Sequence, residues 1–503
     1  MRNRAGLVAG PLLAVLLLWV LPEQYVGPEG SPVAFGAAGR ATAAVTAWMA
    51  VWWLTEAVEI YATALLPLAL FPLSGASSMR EAAAPYAHPL IFLFLGGFLL
   101  ALTMQRWGLH RRLALAVLRR VGDEPAAMIG GFMAVTALFS MWVSNTATAI
   151  MMLPVATSVI ALVVAPENAG PDTDADERRG QGFAVALMLG IAYAASIGGV
   201  ATPIGTPPNL FLLSYLKEQQ GLDIGFVRWM GVGVPFVVVF LPVTWWLLTR
   251  VLYPLRVERV AGGRELLERA HAGLGPVTRP ERIVGAVFGA TCLLWITRPW
   301  VVAIPIGGTK PFAGLGDTAI AMSAALLLFV LPSGRVDPDG RAQRMLDWET
   351  ATGVPWGILL LFGGGLSLAA AIGANGVDDF LGAQVRALGD VPTLWVVLGV
   401  VTGIVFLTEL TSNTATTATF VPLLAALAPG FGLDPLMLAV PAALAASCAF
   451  MLPVATPPNA IVFGSGWVTM RDMRRAGLWL NVVGIVWITT LAYTLVLAVL
   501  RAT

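Results

Sequence analysis

The chain has 503 residues, of which 57% are apolar and only 12% charged, with a mean hydropathy of +0.79. That is about half the charge of an average soluble protein, which excludes an ordinary soluble enzyme, a disordered chain and a nucleic-acid-binding protein and implies an all-α polytopic membrane protein. The net charge of +1 offers an acidic partner no bulk field. Cys292 and Cys448 lie in apolar runs without CxxC spacing, and His88, His110 and His271 are scattered. No disulfide framework, resident metal or cofactor is therefore expected.

A spanning helix needs roughly 20 apolar residues. Eleven stretches read as spans: 6–21, 41–54, 57–73, 89–107, 183–214, 228–253, 282–303, 317–331, 354–373, 436–465 and 478–500. The first has Arg2 and Arg4 ahead of an apolar run but no small-x-small cleavage pattern, so it is read as a retained span. Glu56 and Glu59 fall in a short loop expected at the cytoplasmic surface with no special role. Residues 109–120 are basic and amphipathic, as suits a helix lying among lipid headgroups. Residues 166–182 read as a polar loop and 254–281 as a charged, helix-compatible linker. With the N-terminus in the cytoplasm, cytoplasmic segments hold 22 of the 30 Lys and Arg residues. That ratio places the N-terminus inside and, after eleven spans, the C-terminus outside.

Two apolar stretches, 125–165 and 393–428, carry polar clusters at their middles. Each is too long for one span and suits a re-entrant helical hairpin with the cluster at its tip. The clusters are copies: Ser144-Asn145-Thr146-Ala147-Thr148 recurs as Ser412-Asn413-Thr414-Ala415-Thr416. Leu95-Gly96-Gly97 recurs as Phe362-Gly363-Gly364, and Thr206-Pro207-Pro208-Asn209 as Thr456-Pro457-Pro458-Asn459, in the same order. Gly96 to Ser144 is 48 residues and Gly363 to Ser412 is 49. Asn145 to Asn209 is 64 and Asn413 to Asn459 is 46, a difference of 18 that matches the 166–182 insertion. The chain thus divides into an N-terminal helix and loop (1–40), a first repeat (41–253), a linker (254–281) and a second repeat (282–503). The topology runs the two Gly-Gly spans in opposite directions, so the repeats are inverted, as in secondary transporters.

Consecutive prolines bar a regular helix just before them, so 183–214 and 436–465 should be broken helices. A break frees carbonyls for a cation and creates helix N-termini that attract an anion. No Lys, Arg or His lies in either polar motif. A dianion bound there would be offset only by dipoles and bound cations, which favours cation coupling. Glu409, two residues before the second Ser-Asn-Thr, could tune a cation site, take up a proton or cap hairpin backbone donors.

The paired Ser-Asn-Thr motifs, the paired Pro-Pro-Asn motifs and the run Met451 to Ile461 resemble the divalent anion–sodium symporter family, from about residue 40 to 500. The resemblance implies sodium-coupled import of dicarboxylates across a bacterial inner membrane by a homodimer, each subunit having a scaffold and a mobile transport domain that moves as an elevator. Carried over residue by residue, a first sodium ion would be held by Ser140, Ser144, Asn145 and the Gly205 carbonyl. A second would be held by Thr408, Thr411, Asn413 and the Ala455 carbonyl. The substrate would touch Asn145, Thr146, Thr206, Ser412, Asn413, Thr414, Thr456 and Pro457. Thr411 is a departure, since the family often has a small apolar residue there. The competing readings are a sodium-independent carboxylate exchanger, a carrier of sulfate or another small oxyanion, a sodium/proton antiporter using Glu409, and a channel. An enzyme is not expected, because no nucleophile–base pair or metal cluster appears in the spans.

Overall fold

The computed structural model describes residues 2–27, 31–164, 173–255, 259–260, 262–306, 309–336, 340, 342–386 and 391–501. The chain opens with α1 (Arg2–Val20) and α2 (Ala37–Thr55), then α3 (Ile60–Thr63), α4 (Leu66–Ser74), α5 (Met79–Ala83), α6 (Pro89–Arg106) and the amphipathic α7 (Leu109–Leu118). Next come α8 (Pro125–Ser140), α9 (Asn145–Val164), α10 (Thr173–Gly199), α11 (Pro207–Gln220) and α12 (Phe226–Trp246). A linker helix α13 (Gly263–Ala272) leads to α14 (Arg279–Val301), α15 (Asp317–Val330), α16 (Trp348–Ala351) and α17 (Trp356–Ala374). The chain closes with α18 (Val377–Arg386), α19 (Thr393–Thr408), α20 (Asn413–Leu427), α21 (Leu436–Ala446), α22 (Pro457–Gly464), α23 (Met470–Leu491) and α24 (Leu497–Leu500).

Among the described residues, eight helices are long and apolar enough to cross a membrane. Two of them, Asn145–Val163 and Asn413–Phe431, are second arms of the expected hairpins, and the other six fall on expected spans. The remaining expected spans are the 19-residue α2 and four shorter apolar helices. The protein is an all-helical polytopic membrane protein. Its only strands among the described residues form two small antiparallel pairs, Gln24–Val26 with Pro32–Ala34 and Pro332–Val336 with Ala342–Arg344, which the sequence did not signal.

Both repeats lay down the same elements. The Gly-Gly helix α6 is followed by amphipathic α7, the α8–α9 hairpin, the α10/α11 broken helix and α12. The Gly-Gly helix α17 is followed by α18, the α19–α20 hairpin, the α21/α22 broken helix and α23. α8 and α19 have 16 residues each, about 24 Å at 1.5 Å per residue, short of the roughly 30 Å hydrocarbon core. Their ends therefore stop inside the membrane, where the chain turns back. α10 is the hub of the fold: 94% of its spanning window is buried in protein, against 22% for α14, which keeps most of its surface for lipid or another subunit.

Two expectations are corrected. The span 57–73 is not one helix but α3 and α4, broken at Ala64–Leu65. Pro67 has no N–H to bond the Thr63 carbonyl, and Tyr86 Oη donates to the Ala64 carbonyl at 2.5 Å. Gly364 of α17 packs on that carbonyl so closely that a Cβ there would lie 2.1 Å from it. The 166–182 insertion is not wholly loop: residues 165–172 lie outside the described residues, but from Thr173 the chain is already the start of α10. Its apolar run begins only at Phe183. Replacing 168–178 by a short Gly/Ser link is therefore expected to leave substrate affinity within about twofold, as read by equilibrium binding.

Candidate functional site

The two hairpin tips and the two breaks meet around one cavity of about 720 Å³. α9 begins at Asn145, α20 at Asn413, α11 at Pro207 and α22 at Pro457, and all four starting residues line it. First-turn N–H groups have no intrahelical acceptor and carry the positive end of the helix dipole. Four such ends converge on one space. The sequence dictates this: the prolines fit the first turn of a helix and forbid one before it, and the Ser-Asn-Thr triplets restart a helix after each tip.

Every residue expected to touch substrate lines this cavity: Asn145, Thr146, Thr206, Ser412, Asn413, Thr414, Thr456 and Pro457. Ser144, Gly205, Thr411 and Ala455 line it too. Ser140 and Thr408 do not; both are fully buried behind the asparagines. Ser140 Oγ lies 2.5 Å from Asn145 Oδ1 and 2.6 Å from the Ala195 carbonyl. Thr408 Oγ1 lies 2.8 Å from Asn413 Oδ1 and 2.9 Å from the Ala446 carbonyl. The two repeats thus build one motif twice: a hydroxyl, the amide oxygen five residues on, and a carbonyl of the broken helix. Such hard neutral oxygens suit a small monovalent cation. The Thr411 hydroxyl is taken up by the Leu407 carbonyl (3.0 Å) and Thr416 Oγ1 (2.7 Å), which leaves its backbone carbonyl as the group free to serve an ion.

The breaks are fastened from within. Asn209 Nδ2 donates to the carbonyls of Val200 (2.9 Å) and Thr202 (2.8 Å). Asn459 Nδ2 donates to those of Ala449 (3.1 Å) and Leu452 (3.0 Å). The last residue of each Thr-Pro-Pro-Asn motif is therefore a buried staple across its break.

The family description "Sodium:sulfate symporter transmembrane region" matches residues 11–500. The chain belongs to the sodium:sulfate symporter family, the divalent anion–sodium symporters. Among its relatives in that family are proteins named sodium-dependent dicarboxylate transporter SdcS. That of Staphylococcus saprophyticus is 40% identical over 495 residues, covering 98% of this chain and 92% of the relative. That of Staphylococcus aureus strain USA300 is 38% identical over 488 residues, covering 97% and 90%. The crystal structure of the Alcanivorax borkumensis YdaH transporter shares the fold at a TM-score of 0.60 and 13% identity, covering 98% of this chain and 97% of that one.

Three features of this symporter-family chain escaped the sequence reading. Gly199, the last residue of α10, faces the first motif: a Cβ there would lie 2.6 Å from Asn145 Oδ1 and 3.1 Å from the Gly205 carbonyl. Glu56 is exposed, in keeping with its expected surface position, and it also lines the cavity, with no Lys, Arg or His among the other lining residues. It follows α2 with φ 48°, the one non-glycine residue in the left-handed region among the described residues, which turns the chain at the cavity rim. The donors that Glu409 meets also differ from those expected. They are the backbone amides of the second break and the Asn481 side chain of α23, not amides of the hairpin.

Proposed function

We propose that this protein imports dicarboxylates together with sodium ions, moving the whole site across the membrane by an elevator stroke. The observation that carries this reading is the convergence of four helix N-termini and two hydroxyl–amide–carbonyl motifs on a cavity lined by no basic side chain. Each terminus offers about half an elementary charge. A desolvated dianion needs more, and two bound cations supply it. No bond is made or broken; the driving force is the sodium gradient. The names of the relatives, sodium-dependent dicarboxylate transporters, support this reading over a sodium-independent exchanger or a sulfate carrier.

The way the walls divide supports the elevator. All the polar lining groups of the two motifs come from the hairpins and broken helices. The opposite wall, from α3, α6 and α17, is mostly apolar, with Ile60, Phe94, Phe98, Ala101, Leu102, Ile358 and Leu361; its polar groups are Tyr61 and Gln105, with Glu56 at the rim. It supplies none of the groups of the two motifs, so these can travel together past it. The moving body is α8–α12 with α19–α24, and the frame is the rest, arranged as a homodimer within the bacterial inner membrane. Along α6 the lining residues run from Phe94 to Gln105, toward the C-terminal end of that helix. At the other end of that helix His88 Nε2 meets Glu218 Oε1 of α11 at 2.8 Å. With the N-terminus in the cytoplasm, this is the inward-open state.

Succinate uptake by proteoliposomes, with and without an inward sodium gradient, tests the reading. Uptake is expected to require the gradient, and equal uptake without sodium overturns it. Ser140→Ala and Thr408→Ala are each expected to raise the sodium half-saturation of succinate binding about tenfold. Affinity should recover at high sodium, because linkage couples the two ligands reciprocally. Titrating purified protein checks this, and curves that fail to move along the sodium axis make those hydroxyls packing groups only.

A further inference from the structure

Glu409 follows Thr408 at the end of α19 and is buried. Its Oε1 accepts from the Phe450 N–H (2.7 Å), the Met451 N–H (2.9 Å) and Asn481 Nδ2 (2.8 Å). Its Oε2 accepts from the Met451 N–H (3.0 Å) and the Leu452 N–H (3.1 Å). In every bond the carboxyl group is the acceptor. That is the pattern of an ionised group, since a protonated acid would leave its own hydrogen without an acceptor. No Lys, Arg or His pairs with it among the described residues. An ionised group buried without a cation is costly, and Met141 occupies the same place, four before Asn145 as Glu409 is before Asn413, in the first repeat.

The difference between the breaks accounts for the carboxylate. In the first repeat α10 runs to Gly199, ten residues before Asn209, and the amides of Val200 and Ala201 donate to the Ile197 and Gly198 carbonyls at 3.2 and 3.0 Å. In the second repeat the residue ten before Asn459 is Ala449, yet α21 stops at Ala446. The amides of 450–452 would then be orphans, and Glu409 takes all three. Leu452 is consequently held on both sides: its N–H by Glu409, its carbonyl by Asn459 Nδ2 (3.0 Å) and the Ala455 N–H (3.2 Å). Ala455 is the residue whose carbonyl the family resemblance assigns to the second cation.

We propose that Glu409 is a positioning residue for the second cation site: it fixes the break that presents the Ala455 carbonyl, and its fixed negative charge beside Thr408 makes this site the first to fill. The first site, with Met141 in the equivalent place, has no such charge and waits for the dianion. This rests on the assignment of Thr408, Asn413 and Ala455 to a sodium ion. Sodium binding without substrate is thus a property of the second repeat, and substrate closes the first.

The test compares wild type, Glu409→Gln, Glu409→Asp and Asn481→Ala as purified full-length proteins. Two readouts are used: the sodium-dependent shift of thermal unfolding without substrate, and succinate binding across a sodium titration. Glu409→Gln keeps the shape, loses the charge and replaces one acceptor oxygen by an amide N–H₂ that cannot accept from the amides of 450–452. It is expected to abolish the substrate-free sodium shift and raise the sodium half-saturation of succinate binding about tenfold or more, with affinity restored at saturating sodium. Glu409→Asp keeps the charge and should retain the substrate-free shift. Asn481→Ala removes one uncharged partner and should move the sodium axis less than Glu409→Gln. A Glu409→Gln protein whose sodium dependence is unchanged overturns the proposal. So does one that binds succinate more weakly at every sodium concentration without a shift along that axis, because Glu409 is then a backbone anchor alone. If Glu409→Gln does not fold, the aspartate variant decides: loss of its substrate-free sodium shift with the fold intact overturns the proposal. Wild-type succinate binding without sodium is a separate outcome that defeats the proposed function itself.

Discussion

Alanine at Asn145 or at Asn413 is expected to abolish sodium-driven uptake while leaving the protein folded and inserted. Each amide oxygen lies beside the buried hydroxyl of its own motif, Ser140 or Thr408, and each residue opens a helix whose N-terminus faces the cavity proposed to hold the substrate. Truncation therefore removes a cation ligand and a substrate contact together. Hydrogen bonds to charged groups contribute about 1.5–3 kcal/mol each, so the loss of both amounts to about a hundredfold or more in apparent affinity. Uptake by proteoliposomes measures the loss, and size-exclusion behaviour with circular dichroism shows that the fold survives. Wild-type transport by either variant would remove that asparagine from the site.

Gly199→Ala is expected to cost nearly as much without replacing a single ligand. The added methyl would lie 2.6 Å from Asn145 Oδ1, closer than packed Cβ atoms come, and 3.1 Å from the Gly205 carbonyl, which is backbone and cannot rotate away. The asparagine must swing out of the first motif. The sodium half-saturation should rise tenfold or more, on the order of 1.4 kcal/mol per decade. The repeat supplies an internal control, because Ala449 occupies the matching place in the second half with its Cβ already present. Ala449→Gly should leave sodium dependence nearly unchanged. Sodium titration of succinate binding reads both, and an unaffected Gly199→Ala protein would mean that the first motif holds no cation.

What the sequence revealed of the site was what it repeats. Ser-Asn-Thr and Thr-Pro-Pro-Asn stood out because each occurs twice at matched positions, and proline chemistry turned them into breaks and helix starts. The helices that host them were legible from apolar runs of the right length. What stayed hidden depends on contacts between distant segments. Glu409 meets amides 41 to 43 residues away and an amide side chain 72 residues away, so its neighbours could not be read from its surroundings in the chain. Gly199 looked like one more small residue in a membrane helix until Asn145 was found against it. Glu56 looked like a surface charge because its loop is short, whereas the left-handed turn there directs the chain to the cavity rim. The break at Ala64 was missed because its cause lies partly outside the segment, in Tyr86 and Gly364.

The paired tips and paired breaks also bear on how a ligand may lie. Each repeat brings one helix restart from a tip and one from a break to the cavity, so its two halves offer matched sets of helix N-termini. A molecule with identical ends can enter that space in two senses that are nearly the same state. This degeneracy adds RT ln 2, about 0.4 kcal/mol, to its binding. A molecule with a substituent nearer one end has two distinguishable orientations that compete. Such a cavity counts charged ends and is nearly blind to their order.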